Sequence, residues 1–146
     1  MFRRDHRDED LTNRVDHLMA AAVLADAGAR LEAVGAHVAQ DVVYVSPEAV
    51  FDGPAGLSEA FERLRRRDRQ PAALRRTSVV DQHHGYFRFT WDRVERGAVV
   101  MSGWIFGSLD ESGAIDRIVA FEGLKSGYRE DSKQAPPVRH DAGEAR

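Results

Sequence analysis

The chain has 146 residues, a formal net charge of −3 and no cysteine. That length fits one domain able to bury a core without covalent staples, and the missing thiols exclude disulfides and thiolate metal sites. The small acidic excess gives no general attraction to nucleic acid or anionic lipid, and no apolar run approaches the roughly 20 residues needed to span a bilayer. With no apolar leader in "MFRRDHRDEDL", the reading is a soluble, cytoplasmic protein with neither nucleic-acid nor membrane partners.

Leu11, Val15, Leu18, Met19 and Ala22 recur at helical spacing, and Asp8, Glu9 and Asp10 favour the positive end of a helix. This predicts a first helix from about Leu11 to about Ala25. Gly28 breaks it, and Leu31, Val34 and Val38 mark a second, short helix. "DVVYV" reads as a strand stopped at Ser46-Pro47, because proline cannot donate to a ladder. Leu57, Phe61 and Leu64 carry a third helix whose arginine-rich "RLRRRDR" reads as its solvated face. From Thr77 to Glu122 the pattern is strand, punctuated by "HG", "ERG" and "DESG". Beyond Lys125 the chain turns polar and proline-bearing, so residues 125–146 are expected to form a disordered tail behind one domain over residues 1–124.

Three helices followed by an antiparallel meander make an α+β domain whose curved sheet covers its apolar face with the helices. "VAQDVVYVSPEAVFDGPAGLSEAFERL", "HHGYFRFTW" and "LDESGAIDRIVAFEG" resemble the nuclear transport factor 2-like superfamily, in its SnoaL-like (polyketide cyclase-like) branch, over about residues 11–124. The resemblance implies a cone-shaped α+β barrel, with a curved antiparallel sheet wrapped around three N-terminal helices, an internal cavity and a homodimer through the outer sheet face. Members of the superfamily include polyketide cyclases, ketosteroid isomerase, scytalone dehydratase, epoxide hydrolases and many cavities with no known reaction, so the fold does not give the function. Transferred by position, the ketosteroid isomerase base falls on Ser46, its oxyanion-hole aspartate on Ile105 and its tyrosine near Ala22. None of these departures supplies a carboxylate base.

Strand register predicts the cavity wall. A two-residue turn at His84-Gly85 pairs Gln82 with Phe87, Val80 with Phe89 and Ser78 with Trp91. Three-residue "ERG" and four-residue "DESG" turns then pair Trp91 with Met101 and Met101 with Glu122, and place Gly103 and Ala120 opposite Phe89, where they leave space. One face thus gathers Val80, Phe87, Phe89, Trp91, Met101, Ile105 and Ile118, with Trp104 on the other.

The substrate-binding set expected from this is Ser46, Phe61, Gln82, Phe87, Phe89, Trp91, Met101 and Ile105, and the catalytic candidates are His84 and Tyr44. Histidine titrates near neutrality and serves as a general acid or base; a tyrosine hydroxyl can polarise a carbonyl. His84 in its turn has either side open to it, Tyr44 also reads as a core ring, and "HHG" also reads as a plain turn. Glu122 reads as a rim charge, too far from His84 to share a small substrate with it. No His/carboxylate spacing suits a metal, and no phosphate loop or dinucleotide fingerprint calls for a cofactor. Two functions stay open: a cofactor-independent lyase, isomerase or cyclase acting on a hydrophobic, oxygenated substrate with His84 as acid/base, or a noncatalytic small-molecule-binding or interaction module.

Overall fold

The computed structural model describes residues 6–67 and 72–123; the expected tail lies outside the described residues. Helix α1 (His6–Ala22) begins earlier than its apolar spacing suggests, because the acidic residues sit inside the opening turns, where the helix dipole favours them. It stops short of Ala25 because Asp26 caps the next helix, accepting from Ala29 N at 2.7 Å. That helix, α2 (Ala27–Gly35), gives way to β1 (Val38–Val45), so Val38 opens a strand rather than closing a helix.

A short β2 (Val50–Asp52) folds back on β1 and leads into α3 (Gly53–Arg67). The sheet continues with β3 (Ala72–Arg76), β4 (Asp81–His83), β5 (Tyr86–Glu95), β6 (Ala98–Leu109) and β7 (Ile115–Gly123). Its order is β2-β1-β7-β6-β5-β3, with β4 also on β5; every pairing is antiparallel except β1 with β7. Among the described residues the edge strands β2 and β3 do not meet, so the cone is an open, curved sheet rather than a closed barrel. Register shifts at Arg93/Val94 and at Ser108/Leu109 mark the irregularities that bend such a sheet.

The core lies in the concavity, where α1 and α3 cover the sheet. Leu57, Ile115, Val34 and Val42 are fully buried there, each worth about 1.5–3 kcal/mol relative to exposure. Arg30 joins the helices: only 3% exposed, it pairs with Glu62 at 2.9 Å, donates to Ser58 Oγ at 3.1 Å and reaches the Leu24 carbonyl at 2.9 Å.

The "HG" turn has the expected form. His84 and Gly85 have φ of 50° and 79°, and Gln82 faces Phe87. The pairing then departs from expectation: residues 77–80 leave the ladder, so Trp91 faces Arg76 instead of Ser78. Ser78 Oγ instead takes the Thr90 N–H at 2.8 Å. The "ERG" connection is a two-residue turn, Arg96 and Gly97 at φ of 49° and 75°, followed by a shift that sets Trp91 opposite Gly103 rather than Met101. Glu122 likewise faces Gly103, and Ile105 faces Ala120. Both displacements are of two residues, and a slip of two leaves every side chain on its own face. Phe87, Phe89 and Trp91 are therefore buried inward as expected, and Trp104 is 45% exposed outward.

Candidate functional site

Between the concave sheet and helices α1 and α3 lies a cavity of about 350 Å³. Phe87, Phe89, Trp91, Ile105 and Ile118 form its sheet wall, with Met101 towards one end. Val15 and Leu18 of α1 and Phe61 and Leu64 of α3 form the opposing wall. Gly103 does not leave an empty space: the Trp91 indole lies over it, close enough that a Cβ there would stand 2.8 Å from the ring.

Four polar side chains border this apolar space: Tyr44, Arg65, Arg93 and Glu122. Tyr44 is 7% exposed, and its ring packs against Phe51 and Phe61 with centroids 6.1 and 6.2 Å away. Its hydroxyl makes no hydrogen bond among the described residues. Burial, with the negative charges of Glu122 and Glu48 added, pushes the phenol up to about 12, so it stays protonated and available as a donor. Trp91 Nε1 is a buried donor without an acceptor among the described residues. Arg93 is held by Glu95 at 3.0 Å.

Of the residues singled out from sequence, Tyr44, Phe61, Phe87, Phe89, Trp91, Met101 and Ile105 meet around the cavity. Ser46, Gln82 and His84 do not border it. Ser46 lies just past the end of β1, and its Oγ accepts from Ala49 N at 3.2 Å and donates to Ala49 O at 3.1 Å, holding the turn into β2. Gln82 and His84 line a second hollow with His83, Asp10, Arg14 and Asp110, away from the cavity. His84 is exposed there, with its ring edge-on to His83 at 5.8 Å. Its left-handed backbone turns it out of the strand alternation that carries Phe87 and Phe89 inward.

Arg65 and Arg93 also line the cavity, and Glu122, expected as a rim charge, is a half-buried member of its lining. Arg65 was legible: it follows Phe61 by four positions, hence shares its helix face, yet it sits inside a charge run. Among the described residues no group of three or more His, Asp or Glu side chains is placed to hold a metal ion. Among the described residues no helix is long and apolar enough to cross a membrane.

No protein-family model and no curated protein matches the sequence. Solved structures do match. A SnoaL-like family protein from Agrobacterium tumefaciens, named as a candidate isomerase, superposes with a TM-score of 0.72 at 24% identity, covering 81% of this chain and 98% of its own. A cystatin-like-fold protein of unknown function from Nostoc punctiforme gives 0.65 at 9% identity over 84% of this chain and 96% of its own. A nuclear transport factor 2-like protein of unknown function from Cytophaga hutchinsonii gives 0.55 at 9% identity over 80% and 92%. With three helices laid into one curved sheet around an apolar cavity, the chain has the α+β cone fold of the nuclear transport factor 2-like superfamily, in the form seen in SnoaL-like proteins.

Proposed function

We propose that this protein is a small-molecule pocket protein whose cavity takes an apolar ligand bearing an acceptor oxygen, met by the Tyr44 hydroxyl. The observation that carries the reading is that residue: Tyr44 is buried and lines the cavity, and its hydroxyl is kept protonated and makes no hydrogen bond among the described residues. A donor that lines an apolar cavity offers a ligand carbonyl or ether oxygen its hydrogen bond and so fixes the orientation of that ligand. A phenol that stays protonated at neutral pH can donate a hydrogen bond, so the pocket suits binding and orientation of an acceptor oxygen. A catalytic version, as an isomerase, lyase or cyclase, draws support from the Agrobacterium neighbour's name and would use Tyr44 as the electrophilic donor. His84 has no part in it, because it stands in the other hollow.

The same reading includes a homodimer through the outer sheet face. Tyr86, Trp104, Phe106 and Phe121 are exposed there; Trp104 stacks on Phe106, and Phe106 meets Phe121 edge-on. A contiguous aromatic surface of this kind favours burial against a partner.

The test uses a Trp104→Phe background, in which Trp91 is the sole indole. Butylbenzene and 4-phenylbutan-2-one are titrated while Trp91 emission is followed. Both should change the emission, and Tyr44→Phe should weaken the ketone about tenfold while leaving the hydrocarbon alone. If neither ligand alters Trp91, the pocket reading fails.

A further inference from the structure

Two oppositely charged side chains line the cavity, and neither makes a hydrogen bond among the described residues. Arg65 comes from the last turn of α3. Its nearest carboxylate, Glu62, already holds Arg30 at 2.9 Å and Arg66 at 3.0 Å, so Arg65 is left at 3.6 Å. Three guanidiniums share one carboxylate, and Arg65 has the poorest share. Its Nε is buried without a hydrogen bond, while 39% of the side chain remains exposed, which puts the guanidinium between cavity and solvent. Glu122 projects from β7 on the inward face, beyond Ala120 and opposite Gly103, and acts electrostatically on the Tyr44 hydroxyl. No ion pair joins Arg65 to Glu122.

A cation held by its carboxylate at no closer than 3.6 Å and an anion with no hydrogen bond or ion pair among the described residues line the same cavity, and a head group that serves both suits them. Arginine's planar fork matches a carboxylate bidentately. A bare carboxylate alone would be repelled by Glu122, whereas a neighbouring hydroxyl would donate to it and turn that repulsion into a charge-assisted hydrogen bond. Resting on the pocket reading above, we infer that the ligand is an apolar hydroxy acid: its carboxylate lies on Arg65, its hydroxyl donates to Glu122, and its hydrocarbon body packs against Phe87, Phe89 and Trp91.

Calorimetric titration with 4-phenylbutan-1-ol, 4-phenylbutyrate and 2-hydroxy-4-phenylbutyrate tests this, because the three share one body and differ in the head. The hydroxy acid should bind about tenfold or more tighter than the alcohol. Arg65→Gln should abolish the preference for both acids, and Glu122→Gln should bring the two acids level. Thermal melts of both variants establish that they are folded. Acids that bind no tighter than the alcohol, or an Arg65→Gln change that weakens all three ligands alike, would overturn the hydroxy-acid inference while leaving the pocket reading standing. If none of the three binds, the pocket reading falls and takes this inference with it.

Discussion

Trp91 lies across Gly103 on the neighbouring strand, so that the cavity's aromatic wall rests directly on bare backbone. A Cβ on Gly103 would stand 2.8 Å from Trp91 Cε2 and Cζ2 and would run into the Phe121 carbonyl oxygen. Gly103→Ala should therefore destabilise the fold by about 1–3 kcal/mol, as overpacking does, and should displace the indole. Chemical denaturation and the Trp emission maximum read the two effects. An unchanged midpoint would mean that strand and ring part without cost.

Arg30 ties α2 to α3 and to the end of α1 through three partners, in a position with 3% exposure. Arg30→Met should cost about 1–3 kcal/mol, because it strands the buried Ser58 hydroxyl and the Leu24 carbonyl. Arg30→Lys should not restore the loss, since one ammonium cannot span the geometry of a guanidinium fork. Urea midpoints for both variants check this, and a stable lysine variant would show that charge alone suffices.

His37, between α2 and β1, faces His17 of α1 with ring centroids 5.2 Å apart. Burial lowers its pKa below the ordinary 6.5, with further lowering from the positive charge of His17 and of Arg14; Asp10 opposes them. The unfolded chain thus binds the proton at higher pH than the folded one. Its contribution to stability is complete above pH 6.5 and is lost as the pH falls from there through the folded value. Melting temperatures measured from pH 7.5 down to about pH 5 should fall less steeply in His37→Gln than in the parent chain. Parallel curves would remove His37 as the cause.

Trp104 is the centre of the exposed aromatic surface, with Phe106 stacked at 6.0 Å and the Arg88 guanidinium 6.0 Å from its ring centroid. If a second copy covers this face, Trp104→Glu should convert a micromolar dimer to monomer in sedimentation while cavity ligands still alter Trp91 emission. A parent chain that sediments as a monomer would rule the dimer out.

The fold was legible because period and parity survive local error. The turns before β6 and β7 were misjudged, yet Phe89, Ile105 and Ile118 kept their faces because each slip was of two residues. Parity protects strand residues only. Ser46 shares the parity of Tyr44, but β1 ends at Val45, and the serine turns to its own loop. His84 likewise occupies a turn, where alternation says nothing of direction. Arg65 had the right spacing from Phe61 but looked like one more solvated charge; only the crowding of three arginines around Glu62 sets it apart.

The parallel pairing of β1 with β7 sets a timetable for the chain. Tyr44 sits beside Ile118, so one cavity wall joins residues from the first third of the sequence to residues beyond its three-quarter point. Helices and hairpins can form as they emerge, but a contact of such sequence separation must wait, and non-local closure of this kind is slow. Until β7 has docked between β1 and β6, the sheet wall that carries Phe87, Phe89 and Trp91 stops at β6, and Tyr44 on β1 is not joined to it. A chain stopped before Ile115 would thus hold its cavity wall incomplete, with the edge of β6 unpaired, the kind of edge that invites aggregation.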